Sequence, residues 1–131
     1  MKKINLLFNI VVFSFLFMAT TCEDDNQTNC EEQLASLANL KLDIENLAST
    51  SICNETFECR YIGFGSKPCG GPWGYLVYST SIDTLMLEDL VTKYYAQENN
   101  YNAECGSISD CSVPQPPIAF DCSENKCVPI Y

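Results

Sequence analysis

The chain has 131 residues, with 17 acidic and seven basic side chains, no histidine and a formal net charge of −10. That length suits one domain with a modest core. The acidity disfavours nucleic-acid binding, which needs clustered Lys and Arg against phosphate, and the missing histidine removes Ser-His and Cys-His nucleophiles.

Met1-Lys2-Lys3 is a short basic start, and Ile4 to Met18 is apolar except at Asn5, Asn9 and Ser14. That stretch is short for a spanning helix of about 20 residues, and its apolar residues occupy every helical face. Export machinery reads overall hydrophobicity and needs no stripe, so residues 1–21 are expected to be a signal peptide. An uncleaved buried helix would need an apolar partner downstream, and none is evident in the sequence. Ala19-Thr20-Thr21-Cys22 resembles the lipobox of bacterial lipoproteins. The resemblance implies acylation of Cys22, cleavage before it and membrane attachment through the lipid. Ala19 stands where Leu is usual and Thr21 where Gly, Ala or Ser is usual, so an ordinary secretory cut after Thr21 is the alternative. Glu23-Asp24-Asp25 resembles the surface-export signal of Bacteroidetes lipoproteins, which implies outer-membrane attachment and an outward-facing domain. Read without that resemblance, residues 22–29 are a solvated acidic tether. Loss of Lys2 and Lys3 leaves five basic residues against 17 acidic ones, a net charge of −12.

The nine cysteines are Cys22, Cys30, Cys53, Cys59, Cys69, Cys105, Cys111, Cys122 and Cys127. With Cys22 acylated, eight remain, and an oxidising compartment favours up to four disulfides among them. Each would contribute about 2–4 kcal/mol by restricting the unfolded chain. Structural zinc sites use close Cys-x-x-Cys pairs or histidines, and this chain has neither, so no metal and no cofactor is expected.

Thr28-Asn29-Cys30-Glu31 has the form of a capping box. Leu34, Leu37, Ala38, Ile44, Leu47 and Ala48 follow at three- and four-residue steps, widened by Leu40 and Leu42, and predict a core-packed helix over 30–49. Residues 50–56 form a polar connection. Phe57 to Phe64 and Tyr75 to Thr80 predict two strands of a hairpin. Between them, Lys67-Pro68-Cys69-Gly70-Gly71-Pro72-Trp73-Gly74 cannot continue a regular element. Ser81 or Asp83 caps a second helix carrying Leu87, Leu90, Val91, Tyr94 and Tyr95, with Leu85 and Tyr101 near its ends. Asn99, Asn100 and Asn102 predict fraying toward Cys105-Gly106. Cys111 to Pro117 is extended because each proline fixes its φ angle. Ile118 to Cys122 and Lys126 to Ile130 flank Ser123-Glu124-Asn125 in a closing hairpin. The expected fold is a small disulfide-rich α+β domain over 30–131, with two helices packed on an antiparallel sheet in helix-hairpin-helix-hairpin order. A Cys30–Cys105 staple would join the helices. Cys122 and Cys127 either face each other across the last hairpin or reach the Cys53, Cys59 and Cys69 group.

Four features invite a functional reading. Trp73, flanked by glycine and proline, is a candidate aromatic anchor for a partner; a disulfide-pinned turn with Trp73 folded over the sheet uses the same residues. Pro114-Gln115-Pro116-Pro117 is a stiff candidate interaction loop. Bowman–Birk protease inhibitors also present paired prolines in a disulfide-closed loop, although the Cys-x10-Cys spacing here is longer and the rest of the chain differs. The competing reading is a proline-rich edge strand that resists aggregation. Glu31-Glu32 and Glu88-Asp89 are carboxylate pairs, expected on solvent faces of helices, where charge is usual. Asp83-Thr84-Leu85 resembles the Asp-Ser/Thr-apolar glycosylation site of exported Bacteroidetes proteins, and helix capping explains Asp83 equally well.

The block from Cys53 to Cys127, marked by Pro-Cys-Gly-Gly-Pro-Trp-Gly-Tyr-Leu and a closing Cys-x4-Cys, resembles a small cysteine-rich domain of exported bacterial proteins with no assigned activity. The leading expectation is a non-enzymatic, envelope-anchored binding or structural lipoprotein. The alternative is a protease inhibitor presenting residues 112–118. Third is an envelope enzyme working through carboxylates.

Overall fold

The computed structural model describes residues 25–131; the expected signal peptide and the lipidation candidate Cys22 lie outside the described residues. Six elements follow in order: α1 (Asp25–Ser49), β1 (Cys59–Phe64), β2 (Gly74–Ser79), α2 (Thr84–Cys105), β3 (Ala119–Ser123) and β4 (Lys126–Ile130). This is the α+β, helix-hairpin-helix-hairpin order expected from the sequence. No helix among the described residues is long and apolar enough to cross a membrane.

The first helix is already formed at Asp25, so residues 25–29, expected as tether, are helical and Thr28 lies inside the helix. The stretch Asp25 to Asn29 has neither Gly nor Pro. It extends a helix fixed just beyond it by the Cys30–Cys105 disulfide and by Gln33 Nε2 donating to Glu104 Oε2 at 2.7 Å. Those two links join the start of α1 to the end of α2, so the helices run antiparallel. Leu37, Ile44 and Ala48 of α1 meet Leu87, Val91 and Tyr94 of α2 in the core, together with Tyr78 of β2. At the C-terminal end of α1, Lys126 from the last hairpin donates its ammonium to the Ser49 and Ser51 carbonyls. A cation from far along the chain thus serves the exposed carbonyls and negative dipole end of a helix that has no basic residue in its last turn.

Asp83 caps α2 by accepting from Met86 N–H at 3.0 Å, and Gly106 ends it in the left-handed conformation at φ 70°. The fraying expected from the asparagines does not occur: the helix runs to Cys105. Asn102 Nδ2 donates to the Ser66 carbonyl at 2.6 Å, and the staple to Cys30 holds the last turn.

The β1 and β2 strands pair antiparallel from Cys59↔Ser79 to Phe64↔Gly74. Their period-two alternation sends Ile62, Phe64, Leu76 and Tyr78 toward the helices, where Phe64 stacks on Tyr94 at 4.9 Å between ring centroids. Cys59 and Tyr61 alternate with those residues and reach the second hairpin, through the Cys59–Cys127 bond and a ring contact with Phe120. β3 and β4 therefore form their own two-stranded sheet and do not extend the first one. The result is helix pair, first hairpin, second hairpin, stacked in that order.

Four disulfides join these layers: Cys30–Cys105, Cys53–Cys122, Cys59–Cys127 and Cys69–Cys111. Cys122 and Cys127 are register partners in the last hairpin, yet each bonds outward. The expected staple between the helices is present.

Candidate functional site

The loop between β1 and β2 is folded by local chain chemistry. Lys67 N–H donates to the Gly71 carbonyl, Gly70 N–H to the Lys67 carbonyl and Trp73 N–H to the Phe64 carbonyl, all within 2.9 Å. Gly65 has φ 83°, and a β-carbon there would stand 2.5 Å from Trp73 Cδ1. Glycine is thus required both by the backbone and by the indole, which folds back across it. Trp73 remains 43 % exposed: one side of the indole closes the turn over Gly65 and the rest faces solvent.

Beneath Trp73 lies Lys67, only 5 % exposed, with its ammonium 5.1 Å from the indole centroid. It donates to Asp110 Oδ1 at 3.2 Å, to the Ser112 carbonyl at 2.6 Å and to Ser112 Oγ at 3.1 Å. A buried cation needs such partners, because desolvation without them costs several kcal/mol. The Asp110 carboxyl is held down at about 2 by hydrogen bonds from the Ser112 side chain and backbone first, and by Lys67 next. On the opposite side of the loop, Glu98 accepts from Ser66 N–H and from Tyr94 Oη. Burial first, then the Glu98 charge, pushes the Tyr94 phenol up to about 12.

Lys67 and Ser112 have the composition of a Ser-Lys nucleophile pair, but the geometry does not serve that chemistry. The amine donates to three oxygens, one of them a carboxylate, so it offers no lone pair to take the Ser112 proton. The cluster is a clamp that ties the loop after β1 to the segment after α2, reinforced by Cys69–Cys111.

Beside the clamp lies an open groove of about 400 Å³. Leu34 and Ala38 of α1, Tyr101 of α2, Trp73 and Ile108 line it, with Glu98 and Asn102 among its polar groups. Leu34 was expected in the core; it is 53 % exposed because the buried stripe of α1 follows Leu37, Ile44 and Ala48, and Leu34 falls to its edge. A smaller cleft of about 300 Å³ runs between the end of α1 and the last hairpin, where Lys126 is occupied with the helix carbonyls. Each of these two clefts is lined by one carboxylate, Glu98 or Glu45. Glu31, Glu32, Glu88 and Asp89 are solvent-exposed, as the sequence suggested.

The Sγ atoms of Cys53, Cys59 and Cys127 lie within 4.8 Å of one another. Two neighbouring disulfides account for that cluster, and disulfide sulfur offers no thiolate to a metal. In the proline segment, Gln115 and Pro116 are exposed, Pro114 is half-buried and Pro117 is buried. This stiff segment is thus anchored at its C-terminal end, where the chain enters β3 and Ile118 N–H donates to the Ile130 carbonyl. Lys67, Asp110 and Ser112 escaped the sequence reading because their partnership spans more than 40 residues. The signal available was one lysine inside a Gly/Pro loop, which alone reads as solvated. No protein-family model, curated protein or solved structure matches the chain.

Proposed function

We propose that the protein is a non-enzymatic lipoprotein of the bacterial envelope, anchored through Cys22 in the outer membrane, whose domain binds a protein partner in the Trp73 groove. The observation that supports it best is the groove itself. Leu34, Trp73 and Ile108 present apolar surface to solvent on a frame clamped by Lys67 and a disulfide. Exposed aromatic surface on a preorganised scaffold favours association, because little side-chain and loop entropy is lost on binding. The export features of residues 1–25 and the four disulfides suit an oxidising compartment.

Two measurements test the two halves of this reading. Intact mass of the envelope-extracted protein should show acyl mass on Cys22 and a gain of eight hydrogens on reduction; an unmodified cysteine would remove the anchor. For binding, the immobilised domain and its Trp73→Ala variant are compared in capture from envelope extracts. Equal recovery of every captured protein would remove the groove from the argument.

The protease-inhibitor reading keeps one structural support: residues 112–118 are tied at both ends, by Cys111 to Cys69 and by Cys122 to Cys53, with Val113 87 % exposed between them. A panel of serine and cysteine proteases left fully active at micromolar domain ends it.

A further inference from the structure

We infer that Cys69–Cys111 is a thiol-exchange site whose reagent is a dithiol, and that opening it frees one wall of the Trp73 groove. The exchange chemistry stands on its own; its consequence for binding rests on the groove being the binding surface.

Access separates this disulfide from the others. Both Cys69 and Cys111 are exposed; Cys122 is exposed too, but its partner Cys53 is buried, and Cys30, Cys105, Cys59 and Cys127 are half-buried. Exchange needs a thiolate to reach a sulfur of the bond, so access is a primary determinant of rate. The backbone adds a second reason. Cys111 holds φ 56°, a left-handed conformation that crowds an ordinary side chain, and opening the bond releases it. The third reason is what surrounds the bond. Residues 107–117 form no helix or strand, so no ladder of backbone hydrogen bonds resists their release. The other three disulfides each tie down at least one helix or strand residue at both or one of their ends.

The consequence follows from the clamp. Asp110 and Ser112 flank Cys111 and supply all three oxygen acceptors of the Lys67 ammonium. Ser107 and Ile108, just upstream, line the groove. With the disulfide intact, this segment is held at Cys111 and at its two neighbours together. With it open, the three hydrogen bonds of the Lys67 ammonium are left to hold a wall of the groove against the entropy of a free loop.

The step balances as ordinary thiol–disulfide exchange. One thiolate of the dithiol attacks a sulfur of the Cys69–Cys111 bond, forming a mixed disulfide and expelling the other cysteine as a thiolate. The second thiol of the reagent then displaces the remaining cysteine. The reagent leaves as a cyclic disulfide, oxidised by two electrons, and both cysteines take up protons as thiols.

The test uses the exported, folded protein with any thiol at Cys22 blocked beforehand. Dithiothreitol is added in increasing amounts without denaturant, and the thiols formed are trapped by alkylation and mapped by mass. The expected first product carries two alkyl groups, both on Cys69 and Cys111, with the other six cysteines still paired. Trp73 is the chain's single tryptophan, so its emission reads the clamp directly; it should shift on this first reduction. The Cys69→Ser/Cys111→Ser double variant should show the shifted emission without reductant. Earlier reduction of another pair, or equal reduction of all four, overturns the exchange site. Selective reduction with unchanged Trp73 emission overturns the release of the wall. Neither readout needs a partner, so a failure here is distinct from a failure of Trp73→Ala to change capture.

Discussion

Lys67 carries its charge into a site where water is replaced by two hydroxyl or carbonyl oxygens, one carboxylate and the face of Trp73. Replacing it with methionine keeps the stem and removes every polar bond, while the exposed Asp110 recovers its hydration. Hydrogen bonds from a charged donor are worth about 1.5–3 kcal/mol each in net terms, and these share one donor, so Lys67→Met should cost about 2 kcal/mol in chemical denaturation. Stability unchanged within error would show that the clamp is decorative. The same contact sets a pH dependence. Asp110 is held at about 2, below its ordinary 3.8, so its contribution is fully present above about 3.8 and is lost as pH falls through 2. Trp73 emission should therefore change across that acid window, and Asp110→Asn should abolish the change. Because Asp110 is exposed, salt should weaken the effect. At Gly65 the argument is steric. Gly65→Ala adds a β-carbon 2.5 Å from the indole at a positive φ, which should cost at least about 1–2 kcal/mol and shift Trp73 emission.

The β3–β4 hairpin shows what local sequence can specify. Its two-residue turn has both central residues at positive φ, Glu124 at 52° and Asn125 at 60°. That matches the handedness of the strand twist, and asparagine or glycine suits it far better than glutamate. Glu124→Asn should therefore raise stability by about 0.5–1 kcal/mol, read from the denaturation midpoint at unchanged slope. A loss of stability would mean the Glu124 carboxylate makes a compensating contact. Turn chemistry of this kind was legible in the chain: Ser123-Glu124-Asn125 marked the hairpin, the glycines after Phe64 the loop, and Ser81 or Asp83 the start of α2, where the structure selects Asp83. Helix α1 was legible in its stripe but not in its beginning. The capping box at Thr28 is a local pattern, whereas the start is fixed by Cys30 and Gln33 reaching residues about 70 positions away. The end of α2 failed for the same reason, since asparagines that weaken an isolated helix are here tied by Asn102 to Ser66. The groove was least legible. Trp73 announced itself, but Leu34, Tyr101 and Ile108 meet it only through the packing of three separate segments.

Across the whole molecule, the buried core draws on α1, α2 and β2, and on no residue of β3 or β4. An isolated two-stranded hairpin is marginal in water. The second hairpin must therefore be held by what crosses to it: Cys53–Cys122, Cys59–Cys127, the Cys53 N–H bond to the Asn125 carbonyl and the Lys126 ammonium on the end of α1. Each disulfide closes a loop of nearly 70 residues, which in the chain-entropy account is worth roughly 4 kcal/mol. Because the two loops nearly coincide, the second closure adds less than the first. Replacing Cys53, Cys59, Cys122 and Cys127 together by alanine should then detach the last layer and leave the helix pair and first hairpin folded. Amide hydrogen exchange reads this layer by layer. Amides of 119–130 should exchange as in an open loop, while those of α1 around Ile44 and α2 around Leu87 keep their protection behind Cys30–Cys105. Equal loss of protection in all three layers would mean that the second hairpin is part of one cooperative unit, held by its covering of Cys59 and Tyr61 and not chiefly by its crosslinks.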